Sequence, residues 1–169
     1  SMPSKVLSAL QQTSASRLQF HVTPFRLSEK IGITGTIPRI SEFEDTGGPF
    51  FIDKTGQFAD SLPDDQAIWV NTSRGLIIVL GCCHSGLANT LHYVCHISGE
   101  SRVAGIIGGL HLLHASSMRI EQTVSILAQL NPDFIYAGHC TGDDTITTIQ
   151  NKLPKLKIHQ LYAGLHIRL

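Results

Sequence analysis

The sequence predicts an α/β protein, a mixed sheet with flanking helices, and two features point there. The first is a set of short apolar runs at 75–80, 102–107 and 134–137, rich in β-branched residues, bounded by glycine and each followed by helical periodicity. Continuous runs of this kind read as strands buried on both faces, as in a covered parallel sheet. The second is that each run leads into a histidine just past its C-terminal end. His84, His111 and His139 are spaced by 27 and 28 residues, about one strand–helix unit.

Taken in order, residues 4–12 carry Val6, Leu7 and Leu10 on one face, a short amphipathic helix. Alternation over 18–22 suggests a strand, 24–30 a connection, and 31–39 a second strand whose Pro38 forces an extended path into a loop. That loop, 41–65, holds Glu42, Glu44, Asp45, Gly47, Gly48, Pro49, Asp53, Asp60, Asp64 and Asp65; a polar Gly/Pro segment of such length in a small domain reads as a lid or binding loop. Residues 67–72 and 75–80 form a β-hairpin through Ser73, Arg74 and Gly75. Ser85 is placed to cap a helix over 86–97 that Gly99 stops, and Ser116 or Ser117 caps the next, ended at Asn131-Pro132. Thr141 or Asp143 caps a third, closed by Pro154, and alternation over 158–167 predicts a final strand.

Length and composition fit one domain over 3–169, with Ser1-Met2 read as an expression scar. Hydrophobic residues make up 42% and charged residues 15%, and 13 basic residues balance 13 acidic ones. With no net positive field and no Lys/Arg cluster, no nucleic-acid partner is expected. The longest apolar run, 76–83, is too short for a bilayer and the N-terminus lacks signal-peptide order, so no membrane association and a cytoplasmic setting are expected. The four cysteines show no C-x-x-C spacing and are read as buried, inert thiols.

One histidine after a strand is ordinarily a packing or capping residue; three at equivalent strand ends converge on one rim. Neutral imidazole is a common metal ligand, and three of them can hold Zn²⁺ with a fourth position open. His84, His111 and His139 are therefore the candidate metal ligands. His21, His92, His96, His114, His159 and His166 lack that context. The nearest carboxylates, Glu44, Asp64 and Asp65, all lie in the long loop.

These residues also carry a resemblance. Thr34-Gly35-Thr36-Ile37-Pro38-Arg39 with Glu44, then Asp64-Asp65-Gln66-Ala67, Gly81-Cys82-Cys83-His84-Ser85-Gly86 with Asn89-Thr90, Gly108-Gly109-Leu110-His111-Leu112 and Gly138-His139-Cys140-Thr141-Gly142 resemble the ordered motifs of the metallo-β-lactamase-fold hydrolases. The nearest branch includes proteins like dihydropterin ribofuranosyl-aminobenzene phosphate synthase. The resemblance implies an αββα sandwich with a dinuclear metal site, of which this chain represents the C-terminal portion. It implies that His84 matches the third histidine of the first metal site, that His111 stands where many relatives place a bridging aspartate, and that His139 matches the last histidine of the second. Thr36, Arg39 and Asn89 become weak substrate-binding candidates. The family's His-x-His-x-Asp-His signature occurs nowhere in these 169 residues.

The expectation is thus a truncated, hydrolase-like protein with a phosphoester-processing ancestry and an incomplete centre for zinc, manganese or iron, or a metal-free one. Its partner is expected to be a second copy or a missing N-terminal half covering an exposed sheet face. A non-catalytic homodimeric module derived from the fold is the other reading.

Overall fold

The structure is a computed structural model that describes residues 3–14 and 16–168. Among the described residues it has four α-helices, Ser4–Gln12 (α1), Leu87–Ser98 (α2), Ser117–Leu130 (α3) and Asp143–Lys152 (α4). Its strands are Phe25–Arg26 (β1), Ile31–Ile33 (β2), Ala67–Thr72 (β3), Gly75–Leu80 (β4), Val103–Gly109 (β5), Phe134–Gly138 (β6) and Lys157–Leu161 (β7). They form one sheet in strictly sequential order, β1 to β7. The first three pairings, through β3–β4, are antiparallel and those from β4–β5 to β6–β7 are parallel, so the expected mixed sheet with flanking helices is what the chain forms.

Three successive parallel connections move across the sheet in one direction, each through a helix. Because such crossovers are right-handed, α2, α3 and α4 fall on the same face, and α2 packs beside α3 and α3 beside α4. That face holds the core: Trp69, Leu76, Ile78, Ile106, Ile135 and Ala137 from the strands meet Leu87, Leu91, Val94, Leu127 and Ile149 from the helices. Trp69 lies against Gly32, where any Cβ would fall inside the indole ring.

The opposite face is also apolar. Register places Ile31, Ile33, Ile68, Val70, Ile77, Val79, Ile107, Phe134 and Tyr136 on it, side by side across five strands. Gly105 makes room for the Phe134 ring, and Tyr136 stacks on His159 with centroids 4.9 Å apart. No helix of the described residues covers this face, and Ile68 is 40% exposed on it.

Several local expectations are corrected. Residues 18–22 form no strand, Val22 O accepting a single backbone bond from Thr36 N–H, and sheet pairing begins only at β1; Pro24 has no N–H, so a ladder cannot run through it. β2 stops at Ile33 because Gly35 turns the chain at φ 64°. The last strand ends at Leu161 rather than 167, since its partner β6 ends at Gly138, paired with Leu161, and nothing remains to pair with. Ser85 does not cap α2: Gly86 is the N-cap residue, and Glu44 of the long loop accepts from the Ala88 and Asn89 N–H groups at 2.8 and 2.9 Å. Thr141 does not cap α4 either; its buried hydroxyl accepts from Leu110 N–H and donates to Gly138 O. Ser116 does cap α3, accepting from Arg119 N–H. Gly99 and Asn131 end their helices in the left-handed conformation. No helix of the described residues is long and apolar enough to cross a membrane.

Candidate metal centre

The parallel strands β5 and β6 end in glycine and β4 is followed by one: Gly109 N–H donates to Gly81 O at 2.9 Å, and Gly109 pairs with Gly138 in register. The turns beyond them are clipped to one another, Leu112 and Leu113 N–H both donating to Cys140 O at 3.0 Å. At each strand end a non-glycine residue takes a left-handed conformation: Cys83 at φ 63°, His111 at 49° and His139 at 54°. Such conformations are worth about 1–3 kcal/mol of strain each and persist where surrounding structure enforces them, often at functional sites.

The structure brings two of the three predicted histidines face to face. The His84 and His111 rings lie 4.1 Å apart between centroids, tilted by 50°. His139, more exposed, groups instead with Cys82 and Cys140: the imidazole nitrogen and both sulfurs lie within 4.8 Å of one another. Among the described residues this is the set of three close His, Cys, Asp or Glu donors.

The long loop folds back over the imidazole pair. Thr46 O bonds His84 Nδ1 at 3.0 Å, Gly47 O bonds His111 Nε2 at 3.3 Å, and the Phe50 ring stands edge-on to His84 at 5.0 Å. His111 Nδ1 is buried with no partner among the described residues. Burial, and next the neighbouring His84, hold the His111 imidazole below its ordinary pKa and so favour the neutral ring, the form that ligates metals.

Acidic residues fasten this loop. Glu44 sits at the α2 N-terminus, its carboxyl pushed up by burial against the pull of the helix N–H groups. Asp45 Oδ1 pairs with Arg119 at 2.6 Å and accepts from Gly47 N–H. The Arg119 side chain is 3% exposed against 78% for Asp45, and its Nε and Nη2 have no partner among the described residues. Asp65 Oδ2 accepts from Ser85 N–H at 2.8 Å. Beside the strap, Gly47, Pro49, His111, His114, Arg119 and Cys140 line a cleft of about 460 Å³.

The three weaker candidates also hold the loop. Arg39 donates to His84 O at 2.6 Å and Ser61 O at 2.8 Å, Thr36 donates to Pro63 O, and Asn89 Oδ1 accepts from Ile40 and Ser41 N–H. Of the cysteines, Cys83 alone is buried, its thiol driven far up by desolvation; Cys82, Cys95 and Cys140 are partly exposed, which corrects the expectation of four buried thiols. The sequence reading missed Cys82 and Cys140 as members of the rim. The signal was present: Cys82 follows Gly81, and Cys140 follows Gly138-His139.

No family model matches the chain. It is 36% identical over 105 residues to 7,8-dihydropterin-6-methyl-4-(beta-D-ribofuranosyl)-aminobenzene-5'-phosphate synthase of Methanocaldococcus jannaschii, a match covering 62% of this chain and 35% of that protein. It is 30% identical over 128 residues to an uncharacterized protein of the same organism, covering 75% of this chain and 46% of the relative. The crystal structure of a metal-dependent hydrolase of the beta-lactamase superfamily superposes with a TM-score of 0.75 at 28% identity, over 86% of this chain and 56% of the other. The chain thus shares the fold of that superfamily's hydrolase, as its motifs imply, and spans between about a third and a half of the curated relatives it matches.

Proposed function

We propose that this chain carries part of a metal-dependent hydrolase centre, with His84, His111 and His139 as imidazole donors and a phosphoester or related ester as substrate. The observation that carries the reading is the His84–His111 pair, two half-buried rings 4.1 Å apart, one with a buried nitrogen lacking any partner among the described residues. Such a nitrogen is disfavoured unless something accepts or donates to it, and a divalent ion suits it. A bound zinc, manganese or iron would supply Lewis acidity toward a phosphoryl or carbonyl oxygen. Around it, Arg39 fixes His84 through its backbone carbonyl, Asn89 anchors the loop at Ile40 and Ser41, and Thr36 anchors it at Pro63.

The centre reads as incomplete. Glu44 spends both carboxylate oxygens on backbone N–H groups, Asp45 one on Arg119 and Asp65 one on Ser85 N–H, so all three are engaged in holding the loop. Further donors would come from a second chain or from a segment outside these 169 residues. The uncovered apolar face supports self-association as the way such a chain is completed.

A second reading, a non-catalytic homodimeric module, is favoured by one feature: the Thr46 and Gly47 carbonyls already occupy a nitrogen of each paired imidazole. Metal analysis together with cleavage of bis(nitrophenyl) phosphate separates the two. The hydrolase reading expects slow, chelator-sensitive turnover that the H84A/H111A variant loses together with bound metal. A metal-free, inert chain would leave the second reading standing.

A further inference from the structure

We propose that Cys82, His139 and Cys140 form a thiolate–imidazole site for a thiophilic divalent ion, zinc above all, separate from the His84–His111 pair. The three come from the ends of two strands that flank β5, Cys82 beyond β4 and His139-Cys140 beyond β6. What lets them meet across the intervening strand is Gly109. A Cβ there would lie 2.7 Å from Cys140 Sγ, 2.8 Å from Gly81 O and 3.3 Å from Cys82 Cα, so the end of β5 leaves the space in which the thiols approach.

The turn geometry holds the donors in place. Cys140 Sγ donates to Cys82 O at 3.3 Å, and Cys140 O accepts from two N–H groups of the segment after His111, fixing one turn against the next. His139 is held at φ 54°, a conformation no isolated histidine favours.

The distances suit the ion. In a tetrahedral zinc site with Zn–S near 2.3 Å and Zn–N near 2.0 Å, neighbouring donors are about 3.5–3.8 Å apart. The three donor atoms here lie within 4.8 Å of one another, so side-chain rotations of about 1 Å close the set without moving the strands. Three protein donors with a fourth position toward solvent is the arrangement of an open zinc site. On binding, each thiol releases its proton to solvent, and zinc is favoured over magnesium or manganese because the donors are soft.

This inference takes His139 out of the proposed imidazole set and leaves His84 and His111 there; it does not depend on hydrolytic activity, and its test reads something else. Chelator-stripped protein is titrated with Co²⁺, and Cys82, Cys95 and Cys140 are alkylated with iodoacetamide in the presence and absence of Zn²⁺. The expected result is a near-ultraviolet sulfur-to-cobalt charge-transfer band that C82S/C140S abolishes and H84A/H111A retains, with affinity in C82S/C140S falling by more than about 100-fold, since loss of mere outer-shell partners already costs about 10–100-fold. Zinc should protect Cys82 and Cys140 from alkylation while Cys95 reacts at an unchanged rate. The alkylation measurement needs no variant and stands even if the double substitution fails to fold. Cobalt binding without a charge-transfer band, or zinc that leaves all three alkylation rates unchanged, would overturn the site. A hydrolytically silent protein that passes both measurements would count against the hydrolase reading alone.

Discussion

The pairing of Arg119 with Asp45 is unequal in a way that sets its energetics. The guanidinium is almost wholly inside and the carboxylate almost wholly outside, so the solvated partner gains little while the buried one depends on it. Asp45→Ala leaves a buried cation with no anionic partner and is expected to destabilise the chain by about 1–3 kcal/mol, whereas Arg119→Met, which removes the charge but keeps much of the packing, is expected to cost less. Urea unfolding of the two variants checks that order, and equal losses would refute it. Glu44 supplies a second test. Its folded pKa lies above the ordinary 4.5, so its contribution is fullest below that value and declines as pH rises through the folded pKa toward neutrality. Glu44→Gln does not titrate, so wild type should lose ground to it between pH 4.5 and neutral pH, which paired chemical melts would record. Glu44→Ala should be less stable than Glu44→Gln by about 1 kcal/mol, the usual value of a helix cap.

Among the elements, the parallel half of the sheet was legible because each β–α unit announces itself: an apolar run, a glycine and an amphipathic stripe. The site histidines were legible for the same reason, being tied to strand ends. What was not legible depended on partners distant in sequence. Ser85 is a sound local cap, yet Glu44 takes the N–H groups of α2 from more than 40 residues away. The alternation over 158–167 is real, but a strand ends where its neighbour ends, and β6 stops at Gly138. The long loop stood out by its composition, though not that its own backbone carbonyls would rest on His84 and His111. The glycine at the end of β5 yields a prediction on this scale. Gly109→Ala drives a methyl against Gly81 O and Cys140 Sγ, where backbone cannot give way cheaply, and should cost about 1–3 kcal/mol by overpacking while spreading the rim. Thermal melts measure the first effect, and a raised alkylation rate at Cys140 the second.

On the scale of the molecule, one sheet face is covered by three helices and the other, also apolar, by no helix of the described residues. A second copy is the expected cover for an apolar face without a helix over it. Ile68→Lys places a charge at its most open point with little harm to the fold, because Ile68 is already 40% exposed. Light scattering should then report the monomer mass for the variant and twice that mass for wild type; a wild-type monomer would remove self-association from the account.

The strict order of the strands has a bearing on how the chain is made. No strand lies between two neighbours that both follow it in sequence, so each one, as it leaves the ribosome, finds its docking edge already laid down by residues synthesised before it. Contacts between adjacent elements span only a single hairpin or a single strand–helix unit from β3 onward, which keeps loop closure short and favours rapid, vectorial assembly. The rim is completed late in that sequence, when β6 delivers His139 and Cys140 to a groove already flanked by Cys82. Acquisition of an ion there would wait until β6 has docked.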